Sequence, residues 1–194
     1  MEELFVSKVR VKILHLFLTS QEDMLHVREI VRLVDEEINA VRRELARMEK
    51  YGMVASEWRA NRRFYRFKKE YRFYSELLGM VTKSSGLGGA ILKNRQNLGR
   101  IKYALMALRF VKNEPSGQED VDLLVVGQIE LPELQKLVAE EQSHREQEIN
   151  YSFMDEAEFN FRVRRRDPFI LRVLTQPRIM LLGDQNQLME GVLV

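Results

Sequence analysis

Two aspartates one residue apart, Asp120 and Asp122 in the run DVDLLVV, are the residues of this sequence best placed to do chemistry. On a strand, residues i and i+2 project from one face, so the two carboxylates could hold a divalent cation between them. A cation held in that way serves phosphoryl or nucleotidyl transfer, where it bridges phosphate oxygens and neutralises their charge. An acidic strand start at a loop edge produces the same residues without any chemistry. Other catalytic sets are missing. The chain has no cysteine, which excludes disulfides, thiolate zinc sites and a cysteine nucleophile, and fits a cytoplasmic protein. Its three histidines, His15, His26 and His144, show no metal-ligand spacing and read as packing or cap residues.

A second group of residues is cationic. From Arg42 to Lys69 there are ten Lys/Arg against three Asp/Glu. The stretch from Glu36 is a helical pattern, followed by two β-like runs joined at a basic turn, residues 59–63. Ile38, Val41, Leu45 and Met48 recur at three and four residues and must face a core. Asn39, Arg43, Ala46, Arg47 and Lys50 fall on the opposite face, with Arg42 on its flank. Arg can pair two hydrogen bonds with guanine and Asn with adenine, or either can hold phosphates. The same set also fits a solvated helix face with Glu44 and Glu49 in ion pairs. The turn residues Arg59, Asn61, Arg62 and Arg63, close behind that helix, favour DNA, with the tip reaching the backbone or the minor groove. Trp58, Phe64, Tyr65 and Phe67 could stack on bases. Their alternation along the strands favours the core instead. Arg162 and Arg164 to Arg166 form a further basic run, fit either for phosphates or for a solvated helix end.

The elements that must position these residues divide the chain in two. Its 194 residues suit one large domain or two small ones. No apolar run is long enough for a membrane, and the start lacks a signal-peptide core. The net charge of +2 conceals an asymmetry: residues 1–85 carry 17 Lys/Arg and 13 Asp/Glu, residues 86–194 carry 14 and 16. The first part reads as helices over 4–18, 26–34 and 36–51, strands over 53–58 and 64–67, and an amphipathic segment over 71–81. Residues 82–89, small and polar, read as a flexible linker. The second part reads as a helix over 90–98, strands over 101–111, 120–126, 148–154 and 177–182, and helices over 131–144, 155–166 and from 167. The expected fold class is therefore α+β, with domains over 1–85 and 86–194.

The runs VRVKILHLFL, HVREIVRLV, INAVRRELARMEKYGMV and ANRRFY resemble the winged helix-turn-helix of ArsR-type regulators, over residues 5–67. The resemblance implies that the helix around Asn39 to Arg47 is a recognition helix and that the 59–63 turn is the wing. It implies double-stranded DNA as partner, a homodimer, and a nucleotide or protein effector. The metal sites common in that family do not carry over, because their cysteines are absent here.

Residues 98–184 resemble a minimal nucleotidyltransferase domain of the polymerase-β superfamily. In that family a Gly-Ser pair after the first strand grips the triphosphate, the two aspartates bind magnesium, and a third carboxylate comes from the next strand. Here the Gly-Ser place falls at Leu108-Arg109, and the third carboxylate's place near Asn150, with Glu148 close by. The resemblance thus implies a degenerate domain that serves sensing or dimerisation. Asp120 and Asp122 are then a vestigial metal pair and no cofactor is required. A magnesium-dependent nucleotidyltransferase and an antitoxin-like interaction module are the alternatives.

Overall fold

The computed structural model describes residues 7–20, 22–117 and 119–190. They form a mixed α+β protein with two small sheets. The chain divides into two compact units at Val81 and Thr82.

The first unit opens with α1 (Lys8–Thr19), whose first turn is capped by the Ser7 side chain accepting from the Arg10 N–H. Its buried residues are Ile13, Leu14 and Leu18. The spacing of Leu4, Phe5, Val9, Ile13, Leu16 and Phe17 predicts a different inward stripe: Leu16 and Phe17 are only half-buried, and Leu4 and Phe5 lie outside the described residues. A two-residue strand follows, β1 (Leu25–His26), then α2 (Val27–Val34). No periodicity foreshadows so short a strand. His26 ends it and caps α2, its Nδ1 accepting from the Glu29 N–H at 2.9 Å.

Next comes α3 (Ile38–Lys50), buried through Val41, Leu45 and Met48. Gly52 ends it in the left-handed region at φ 73°. The Gly52 and Met53 N–H groups donate back to the Glu49 and Met48 carbonyls at 2.9 Å each, which is a Schellman closure. It turns the chain directly into β2 (Val54–Arg59), which pairs antiparallel with β3 (Arg62–Phe67). Arg59 pairs with Arg62, so only Ala60 and Asn61 are left unpaired at the tip, not the five-residue turn expected. β3 lies between β1 and β2.

Helix α4 (Tyr74–Ser84) runs across the division into the second unit. Residues 82–89 are therefore not a flexible linker. They are the end of α4 and the start of α5 (Gly86–Lys93), with Thr82, Leu87 and Gly88 buried. The helix expected over 90–98 begins earlier and ends at Lys93 for the same reason. The small residues let the chain turn back closely on itself: a Cβ on Gly88 would lie 2.3 Å from the Thr82 carbonyl oxygen, and one on Gly89 2.8 Å from the Ser84 carbonyl carbon.

The second unit continues with β4 (Gly99–Ala107), α6 (Leu108–Val111), β5 (Leu123–Ile129), α7 (Leu131–Gln142), β6 (Tyr151–Met154), α8 (Glu156–Arg164), α9 (Pro168–Thr175), β7 (Arg178–Leu182) and α10 (Gln185–Glu190). The strand order is β6-β5-β4-β7, parallel for β5 with β6 and antiparallel elsewhere. Tyr103, Leu105, Leu124 and Val126 share one core with Phe159, Val163, Ile170, Val173 and Leu188 from α8, α9 and α10. Leu123 to Gly127 are all buried, so β5 reads as a continuous apolar run, as a strand covered on both faces does. Gly127 does not end that strand. It sits at a bulge opposite Ile101 with φ 145°, where a Cβ would lie 2.2 Å from the Arg100 carbonyl oxygen. The apolar run 101–111 is not one strand either. The chain leaves the sheet at Ala107 and coils into α6, a change that its unbroken hydrophobicity conceals.

Candidate nucleic-acid interface and acidic site

Helix α3 separates its residues by face, as its periodicity requires. Asn39, Arg42, Arg43 and Arg47 are exposed. Arg42 and Arg43 form no ion pair among the described residues. Arg47 is partly engaged: its Nη1 donates to Glu44 Oε1 at 2.8 Å, while Arg10 Nε donates to the other oxygen at 2.8 Å. Glu44 is thus a buried carboxylate, 5% exposed, held between two cations. Its place in the expected solvated ion pairs is really inside the helix packing.

At the α3 N-terminus the Glu37 carboxylate accepts from the Ala40 N–H at 2.9 Å. Its pKa is held below the ordinary value, first by the Asn39 backbone N–H, then by the Ala40 N–H, the nearby Arg43 charge and the Asn39 side chain.

The four hairpin residues named from sequence diverge. Side chains alternate across the strands, so Arg63 faces inward with Tyr65 while Arg59 and Arg62 face outward with Phe64. Arg63 Nη2 donates to Glu49 Oε2 of α3 at 2.8 Å, its Nε donates to Ser56 Oγ at 3.0 Å, and its guanidinium lies 5.1 Å from the Tyr65 ring centre. Ser56 Oγ in turn donates to Glu49 Oε1 at 2.5 Å. Arg63 is a strut between helix and hairpin. Arg59 pairs with Glu57 and lies over the Phe64 ring. Asn61 and Arg62 are exposed at the tip. Arg62 also borders an open cavity of about 520 Å³ with His26, Arg28, Glu29, Arg32 and Phe64. Arg28 and Arg32 of α2, which no sequence motif marks, belong to this cationic side.

The hairpin aromatics separate too. Tyr65 and Phe67 are buried, Phe64 is half-buried, and Trp58 is 69% exposed. Trp58 is therefore not a core residue. It has the parity of one, but it lies beyond the point where the hairpin still has protein beneath it.

In the second unit Asp120 and Asp122 precede β5 rather than belonging to it. Their carboxylates nonetheless converge, and the group between them is Arg109 from the first turn of α6. Arg109 Nη1 lies 3.5 Å from Asp120 Oδ1, and Nη2 lies 3.4 Å from Asp122 Oδ1. Nη1 also donates to Gln176 Oε1 at 2.7 Å and Nε to Ser116 Oγ at 3.3 Å. Three further donors reach the two carboxylates. Ser116 Oγ donates to Asp122 Oδ1 at 2.8 Å, the Asn150 N–H to Asp122 Oδ2 at 2.9 Å, and the Gly117 N–H to Asp120 Oδ2 at 2.8 Å. Asp122 is 1% exposed. Ser116, from the loop just before Asp120, and Gln176, from beyond the end of α9, complete this cluster without any spacing in the sequence that marks them.

These residues do not fit a magnesium ion. The Arg109 guanidinium lies against both carboxylates where a cation would sit, and Asn150 meets Asp122 through its backbone N–H. Glu148 is exposed and borders an open cavity of about 590 Å³ beside Asp120. Among the described residues no three His, Cys, Asp or Glu are grouped so as to hold a metal ion.

The run at the end of α8 is a helix terminus. Arg162 pairs with Glu158 and Asp167, and Arg165 lies 4.8 Å from the centre of the Phe161 ring. Among the described residues no helix is long and apolar enough to cross a membrane. No protein-family model, curated protein or solved structure matches the chain.

Proposed function

We propose that this protein is a DNA-binding regulator whose first unit is a winged helix-turn-helix. In this reading α3 enters the major groove and the β2–β3 hairpin is the wing. The observation that carries it is the pairing of two exposed cationic sets on a braced frame. Asn39, Arg42 and Arg43 line the outward face of α3, and Asn61 and Arg62 stand at the hairpin tip. Glu49, Ser56 and Arg63 tie the two elements together. Cations left without protein partners are available to phosphates or base edges, whereas ion-paired ones are not.

The second unit, in this reading, has the outline of a nucleotidyltransferase domain and serves sensing or dimerisation rather than transfer. Its support is the position of Arg109, which falls in the turn after β4 where that family has its phosphate-gripping Gly-Ser pair. A side chain there obstructs phosphate approach, and this one also occupies the acidic pair.

A gel-shift titration of the full chain against a pool of random duplexes tests the proposal. The expected result is a salt-dependent shift that weakens in Arg43→Ala and in Arg62→Ala. Equal affinity in both variants would remove the assignment.

A further inference from the structure

We infer that Trp58 is a DNA contact, packing its indole against the deoxyribose face of a strand that lies between α3 and the hairpin. The inference rests on the DNA-binding reading above and adds an apolar contact to it. Trp58 is opposite Arg63 in the β2–β3 register, and strand parity puts it on the same face as Ser56 and Tyr65. That is the face whose polar groups reach α3: Ser56 and Arg63 both meet Glu49. Trp58 lies one side-chain step nearer the tip than Ser56, level with Arg63. It is 69% exposed and forms no ring stack or cation–π contact among the described residues.

The surroundings define the occupant. Arg42 on α3 is near enough to pull on the Tyr65 hydroxyl, which burial otherwise raises above its usual range. Arg42 on α3 and Arg62 beside the tip are both exposed and form no ion pair among the described residues, Arg62 on the other face of the hairpin. An apolar partner protein would leave these charges desolvated and unmatched. A nucleic-acid strand places phosphates against the arginines and the apolar sugar edge against the ring. The arrangement therefore fits DNA, and a second copy of the chain becomes an outcome to test.

Trp58 is the chain's only tryptophan, so its emission reports this site alone. The experiment titrates the full-length protein with a duplex selected from a random pool, following tryptophan emission and gel shift together. The expected result is a change in emission with the same midpoint as the shift. In addition, Trp58→Ala should bind about tenfold or more weakly with the slope of log affinity against log salt unchanged, because no phosphate contact is lost. Trp58→Phe should keep most of the affinity. Binding without any emission change, together with full affinity in Trp58→Ala, overturns the inference and leaves the DNA reading standing. A wild-type chain that shifts no duplex overturns both. Emission that moves with protein concentration alone, and not with DNA, assigns the ring to a second copy and also overturns the inference.

Discussion

Arg109 and Asp122 stand 3.4 Å apart, guanidinium nitrogen to carboxylate oxygen, at a position where the carboxylate is almost completely shielded from water. The pair occupies the one place in the sequence where metal chemistry was expected. A buried ion pair of this kind adds little net stability over an apolar filling, but removing one partner strands the other charge.

Arg109→Ala should therefore destabilise the second unit by about 3 kcal/mol or more. Adding Asp122→Asn to that variant should restore part of the loss, since the stranded charge goes. Urea unfolding of the two single variants and the double variant measures the coupling. Additive losses would show that the two side chains do not depend on each other.

The cations of the first unit should separate by role. Arg42→Ala and Arg43→Ala should each lower the salt slope of DNA binding by about one, the signature of a lost phosphate contact. Arg63→Ala should leave that slope alone and cost about 1 kcal/mol or less of stability, because its bridge to Glu49 is only partly buried. Arg47 should fall between, since Glu44 already holds it. A slope change in Arg63→Ala matching that in Arg43→Ala would refute this division.

The Glu37 cap predicts a dependence on acid. Its folded pKa lies below the ordinary 4.5, so the unfolded chain binds the proton more readily. Its contribution is then fully present above 4.5 and is lost as pH falls through the lower folded value. The melting temperature of wild type should exceed that of Glu37→Gln at neutral pH, and the gap should close on acidification. A gap that widens as pH falls would contradict the cap.

Gly127→Ala should be costly. The residue combines φ 145° with a Cβ position 2.2 Å from a backbone oxygen, so neither the dihedral nor the space accommodates a methyl group. A loss of about 2 kcal/mol or more is expected in thermal or urea unfolding. Unchanged stability would mean that the bulge can relax.

Much of the first unit was legible in the sequence because its helices and hairpin follow strict periods. Val41, Leu45 and Met48 fixed the inner face of α3, and that placed Arg42 and Arg43 outside. Period alone misled where an element outruns its support. Trp58 has core parity but no core beneath it, and Arg63 sits in a basic turn yet folds inward onto Glu49. In the second unit the unbroken apolar run around Leu108 hid the change from strand to helix. Small residues at 82–89 resembled loose chain. The lock around Asp122 draws Arg109, Ser116, Asn150 and Gln176 from four separate segments, and no local spacing encodes such a meeting.

The strut from Arg63 and Ser56 to Glu49 makes the first unit a caliper. One jaw is α3, the other is the hairpin, and their separation is set before any partner arrives. A tool of fixed gauge loses little orientational freedom on closing, so more of its contact energy is left for affinity. It also measures. A duplex whose groove width differs from the gauge must deform to meet both jaws, and selection by shape would then be added to selection by base edge.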